Sequence, residues 1–154
     1  VLMVVGDGFA LKELEIQDTS DSAGKNIFFT GRVPFSQMPD YYSVCDLCVF
    51  PRRDDEVCRY VPPLKVLESM AMAKPVIVSN LPPLLEMVED EKTGLVFNCG
   101  DVESLKAKIL RVYQDMDLRT TLGKEARNWV ERHRSWDEIS QRYLKVYQSL
   151  FTVY

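Results

Sequence analysis

The residues best suited to chemistry lie in one segment, PRRDDEVCRYVPPLKVLESMAMAKPVIVS, residues 51–79. Pro51–Val61 reads as a charged loop. Pro62 and Pro63 then open a run whose spacing predicts a helix to about Ala73, with proline tolerated in the first turn because N–H groups there have no intrahelical acceptor. The same unfilled amides, reinforced by the helix dipole, suit an anion. Neither proline has an N–H, so the donors are those near Leu64 and Lys65, and Lys65 adds a full positive charge. This combination suits a diphosphate; the plainer reading is a surface helix start, and spacing alone leaves the two even. Glu68 falls one turn further on among mostly apolar neighbours. Its carboxylate could accept hydrogen bonds from the two hydroxyls of a ribose, or it could be a solvated side chain on the polar face. Arg52 and Arg53 could hold an anion, but pairing with Asp54, Asp55 and Glu56 on a wet surface is the favoured reading.

Other candidates carry less. Gly6-Asp7-Gly8 follows the first apolar run directly but is not G-x-G-x-x-G, because position 11 is Leu; a tight turn is the better account. Cys45 and Cys48 have metal-ligand spacing, yet no second pair or histidine cluster completes a site. Cys45, Cys48, Cys58 and Cys99 therefore read as packed, reduced thiols. His133, the only histidine, sits late in a charged helical pattern and is not expected to be catalytic.

The elements that must position these groups alternate along the chain. Strand-length apolar runs occur at Val1–Val5, Asn26–Thr30, Asp46–Phe50, Pro75–Ser79 and Gly94–Phe97. Helical patterns cover a short stretch with Leu11, Leu14 and Ile16 on one side, then Gln37–Val44, Pro62–Ala73, Pro82–Val88, Val102–Met116, Asp117–His133 and Trp136–Phe151. Gln17–Asn26 is polar and turn-rich. Strands apolar at successive positions imply burial on both faces. Their alternation with helices implies right-handed parallel crossovers, hence an α/β fold with a doubly wound, Rossmann-like parallel sheet and a helical C-terminal tail. Such sheets bind ligands beyond the carboxyl ends of their strands. The relevant loops are Gly6–Gly8, Gly31–Pro34, Pro51–Pro63 and Ser79–Pro83. In the tail, Ile139, Tyr143, Val146, Tyr147 and Leu150 recur at helical spacing, which predicts a core-facing stripe.

The chain of 154 residues suits one domain able to bury a core without disulfides or a structural metal. A net charge of −4 argues against a nucleic-acid-binding domain. No run approaches the roughly 18 apolar residues of a membrane span, and no signal peptide is visible. The expectation is a cytoplasmic protein, at most peripheral at the inner membrane. The chain opens directly on a buried-strand pattern, which predicts a piece of a longer protein.

The ordered strings VGDG, FTGRVP, DLCVFP, PPLKVLESMAMAKPVIVS, EKTGLVF and SWDEISQRYLKVY resemble the C-terminal, donor-binding domain of family 4 retaining glycosyltransferases (glycosyl transferases group 1). These enzymes have two Rossmann-like domains facing across a cleft. The resemblance implies metal-independent transfer of a sugar, with retention, from a nucleotide-sugar such as a UDP- or GDP-sugar to a hydroxyl acceptor in glycan biosynthesis. A sugar or lipid-linked acceptor would bind the N-terminal domain. By resemblance, Glu68 matches the second Glu of the E-x7-E motif and holds the donor ribose. Leu64 and Lys65 match positions whose amides meet the distal phosphate, the main chain of Val33 matches a base contact, and Gly6 and Gly8 line the strand end near the donor. Tyr60 stands where the first Glu usually stands, and Arg59–Lys65 resembles a subgroup with a Pro-Leu-Lys signature. No catalytic residue is assigned. The acceptor domain and the first strand-loop unit, which carries an Arg and a Lys for the diphosphate, are expected to precede Val1. Residues 1–154 alone are therefore expected to be inactive, and the tail's apolar stripe, without its partner domain, to support self-association. Two other readings stay open: a non-catalytic nucleotide-binding or interaction module of the same fold, kept alive by Tyr60, and a related two-domain enzyme such as a sugar epimerase or a starch or glycogen synthase.

Overall fold

A computed structural model describes residues 1–8, 11–14 and 26–151. Ile16 and the turn-rich stretch 17–25 lie outside the described residues. The chain forms two compact units, Val1–Tyr41 and Tyr42–Tyr154.

The first unit is built on a parallel strand pair, β1 (Leu2–Val4) and β2 (Ile27–Phe29), in the register Leu2 to Ile27 through Val4 to Phe29. Residues 11–14 are helical. The pair is only partly covered, with Leu2 and Phe28 exposed. Both strands end in glycine turns: Gly6 has φ 134° and Gly31 has φ 64°, backbone conformations that glycine adopts without strain. The Gly6 N–H donates to the Gly31 carbonyl at 3.0 Å, tying the two turns at the carboxyl edge of the pair. A short 3₁₀ turn, Phe35–Gln37, leads into α1 (Met38–Val44), within which the boundary between the units falls.

The second unit holds a three-stranded parallel sheet of order β3-β4-β5: β3 (Cys48–Phe50), β4 (Val76–Ser79) and β5 (Leu95–Phe97). Central β4 is buried at every position, as a continuous Val-Ile-Val run requires. Between β3 and β4 come α2 (Glu56–Tyr60) and α3 (Leu64–Ala71); α4 (Pro82–Leu85) follows β4. After β5 the chain is helical: α5 (Val102–Gln114), α6 (Met116–His133) and α7 (Trp136–Phe151). Ile77, Leu95, Phe97, Val112 and Leu122 form the core between the sheet and α5 and α6. Among the described residues no helix is long and apolar enough to cross a membrane.

Two glycines fix this packing. A Cβ at Gly94 would come within 2.7 Å of the Val76 carbonyl and of both valine side chains at positions 76 and 88. One at Gly123, in α6, would run into the carbonyl oxygen of Ala73. That close approach seats α6 on the end of α3, which closes with Lys74 N–H on the Ser69 carbonyl (3.0 Å) and Ala73 N–H on the Met70 carbonyl (2.9 Å). Ala73 holds the left-handed conformation (φ 54°) that this terminus usually gives to glycine.

Two expectations are corrected here. Pro51–Val61 is not wholly a loop: Asp55 accepts from the Cys58 N–H at 2.8 Å and so caps α2, and Arg59 pairs with Asp54 across its start. The break between the last-but-one pair of helices lies at Asp115 rather than after Met116, because the Asp115 side chain accepts from the Leu118 N–H at 2.8 Å.

Candidate functional site

In a parallel sheet every strand ends at the same edge, so the loops after β3, β4 and β5 gather at one side of the second unit. Polar contacts stitch them together. Asn80, just past β4, accepts from the Cys99 N–H at 2.8 Å, and the Cys99 thiol donates to the Arg52 carbonyl at 3.2 Å. The Arg52 guanidinium in turn donates to the Val61 carbonyl at 2.6 Å, holding the chain just before Pro62. Ser79, fully buried at the end of β4, has an Oγ with no partner among the described residues. Along this edge runs an open hollow of about 900 Å³, lined by Tyr60, Pro62, Asn80, Pro83, Glu86 and Asn98 among others.

Helix α3 starts at this edge and runs back toward the start of β4. Its N-cap is Pro63, which supplies no side-chain acceptor. The Val66 N–H is taken by the Pro63 carbonyl, while those of Leu64 and Lys65 have no acceptor among the described residues. Leu64 and Lys65 are exposed. Glu68 is one turn further, on the same face as Leu64, as residues four apart on a helix must be. Its backbone is fixed from behind, since Val66, Ser69 and Met70 are completely buried. The carboxylate itself is partly exposed, and Oε2 accepts a hydrogen bond of 2.8 Å from the Tyr42 hydroxyl on α1. Burial first, and then the adjoining Glu68 carboxylate, hold the Tyr42 phenol well above its ordinary range, so it stays a donor.

Of the residues singled out in the sequence, Tyr60, Leu64, Lys65 and Glu68 therefore fall in the second unit, near the opening of α3. Tyr60 is the last residue of α2, with 77% of its surface exposed on the rim of the hollow. Gly6, Gly8 and Val33 fall in the first unit, after the carboxyl ends of β1 and β2. Arg52 is occupied within the protein as described, and Asp54 pairs with Arg59 rather than with Arg52 or Arg53. Cys48 is buried and burial pushes its thiol up to about 11, whereas Cys45, Cys58 and Cys99 are only partly covered. His133 stacks on Trp129 at 4.9 Å at the end of α6. Sequence reasoning missed Tyr42 and the Asn80–Cys99–Arg52 linkage. Neither has a short-range signal, because each joins residues far apart in the chain.

Residues 1–129 match the family of glycosyl transferases group 1. Over 147 residues the chain is 29% identical to an uncharacterized glycosyltransferase of Methanocaldococcus jannaschii, covering 96% of this chain and 40% of that protein. It is 27% identical to the GDP-mannose-dependent alpha-(1-6)-phosphatidylinositol monomannoside mannosyltransferase of Mycobacterium tuberculosis, over 92% of this chain and 37% of that one. Among solved structures, the sucrose-phosphate synthase of Thermosynechococcus elongatus superposes with a TM-score of 0.83 at 28% identity, over 99% of this chain and 39% of that chain. The chain thus spans roughly two fifths of the length of these proteins.

Proposed function

The chain belongs to the family of glycosyl transferases group 1, and from that premise we propose that it supplies part of the donor site of a retaining, metal-independent glycosyltransferase acting on a nucleotide-diphosphate-sugar. The observation that carries this reading is the opening of α3: two amides with no acceptor among the described residues, the Lys65 charge, and one turn later a partly exposed carboxylate on the same helix. In the proposed arrangement the Leu64 and Lys65 amides meet the distal phosphate and Glu68 accepts from the ribose hydroxyls. The Val33 main chain meets the base, Gly6 and Gly8 leave the backbone open near the donor, and Tyr60 borders the transferred sugar. The GDP-mannose dependence of the mycobacterial relative is in keeping with a nucleotide-sugar donor.

The chemistry is electrostatic. As the glycosidic bond to phosphate breaks, negative charge gathers on the departing nucleoside diphosphate, and amides already aimed by a helix stabilise it without reorganising. A hydroxyl acceptor, a sugar or a lipid-linked sugar, would be supplied outside these residues, so we expect residues 1–154 alone to give negligible turnover. The test is Glu68→Ala in the intact protein, assayed with UDP- and GDP-sugars. Donor use should fall at least a hundredfold, about 2.7 kcal/mol, with an unchanged circular-dichroism spectrum. Unaltered kinetics would remove Glu68 from the site. Tyr60 in place of a carboxylate favours one other reading, a nucleotide-binding module without transfer; donor binding with no turnover by the intact protein would select it. We also assign the exposed apolar stripe of α7 to self-association.

A further inference from the structure

The hydrogen bond between Tyr42 and Glu68 joins two helices 26 residues apart in the chain. Tyr42 is 8% exposed, so its ring is fixed by packing and its hydroxyl has little freedom to point elsewhere. A second tie clamps the same two segments: the Lys74 ammonium, just past α3, donates to the Ser43 carbonyl at 2.9 Å. The Glu68 side chain has three rotatable bonds and, on a partly exposed helix face, would otherwise sample several rotamers. Tyr42 removes most of that freedom. It occupies one lone pair of Oε2 and leaves Oε1, together with the rest of Oε2, as acceptor-only sites.

We propose that Tyr42 is a positioning residue for nucleotide recognition: its buried hydroxyl orients the Glu68 carboxylate so that the free oxygen faces the two vicinal hydroxyls of a ribose. The proposal rests on the assignment of Glu68 to the ribose made above. It deepens that assignment by saying why a carboxylate on a partly exposed helix face discriminates: a fixed oxygen pair fits a cis-diol, whereas a mobile one does not. Loss of a purely structural tyrosine would loosen the tie to α3 and lower the affinity for any nucleotide alike. A positioning tyrosine acts only where a ribose hydroxyl is present.

Isothermal titration of the intact protein with UDP and GDP, and with their 2′,3′-dideoxy counterparts, separates the two. Tyr42→Phe keeps the ring and deletes the hydroxyl. It should weaken binding of the preferred ribonucleotide about fivefold to tenfold, the size of one ordinary net hydrogen bond, and leave the dideoxy form unchanged. On a Glu68→Gln background the same change should add less than about twofold, since the partners act as one unit. Glu68→Asp, which retracts the carboxylate from an unaltered Tyr42, should show the same ribose-specific loss and serves if Tyr42→Phe fails to fold. An equal loss on ribo- and dideoxynucleotides would overturn the proposal, as would full ribose selectivity in Glu68→Asp. A Tyr42→Phe protein indistinguishable from wild type beside a weakened Glu68→Gln would sink Tyr42 but leave Glu68 in the site. An unaffected Glu68→Gln, or no binding of UDP or GDP at all, would overturn the donor-site reading itself.

Discussion

Helices α3 and α7 are both amphipathic in sequence, yet they are used in opposite ways. The eight residues of α3 bury Val66, Ser69 and Met70 completely against α6 and β4. The sixteen residues of α7 bury none: Tyr143 is 61% exposed, Leu150 62% and Phe151 80%, and only Ile139 of its expected core stripe is partly covered. Helical periodicity therefore states which face is apolar, not what covers it. Because α3 is anchored along one side, the other side can hold Lys65 and Glu68 in fixed places. The longer helix has no such anchor, and its apolar stripe is left uncovered.

Substitutions at and around the two helices test that contrast, and they rank by the size of the stability change expected. Met70→Ala should be the most damaging, about 2–5 kcal/mol, because it opens a cavity where α3 meets the core; urea denaturation reads it directly, and a loss below 1 kcal/mol would mean that α3 is not anchored as described. Gly123→Ala comes next. Helix propensity alone would make it stabilising by about 1 kcal/mol. The collision with the Ala73 carbonyl outweighs this, and net destabilisation of about 1–3 kcal/mol is expected in the same assay. Ala73→Gly should go the other way, stabilising by about 0.5–1 kcal/mol through relief of the left-handed conformation, visible as a higher melting temperature. On α7, Tyr147→Ser should change stability by less than about 0.5 kcal/mol while lowering the mass seen by light scattering at high protein concentration. A wild-type chain that stays monomeric at those concentrations would remove the association surface and leave α7 without a role.

Much of the fold was legible because it is written in local patterns. The Val-Ile-Val run of β4 and the apolar run reaching Cys48–Phe50 needed only their composition to be read as buried strands, and Gly6 and Gly31 marked the turns that close the first pair. The candidate site was legible only along the α3 segment, where Leu64, Lys65 and Glu68 are neighbours by helical spacing. Helix α2 was overlooked because five residues rich in charge give no periodic signal; its existence depends on one cap, Asp55, and one pair, Arg59 with Asp54. Tyr42 was overlooked because an aromatic residue on an apolar face is usually read as packing alone.

Hydrophobic period, turn chemistry and contiguous residues sufficed for the five strands, the longer helices, the opening of α3 and the family, but not for α2. Only the tertiary structure decided that Tyr42 grips Glu68, that Arg52 is spent on the Val61 carbonyl, and that the α7 stripe lies uncovered. Those outcomes depend on contacts between segments distant in the chain, and a hydrogen bond or a buried face is fixed by which surfaces the folded backbone brings together, a quantity no local spacing encodes.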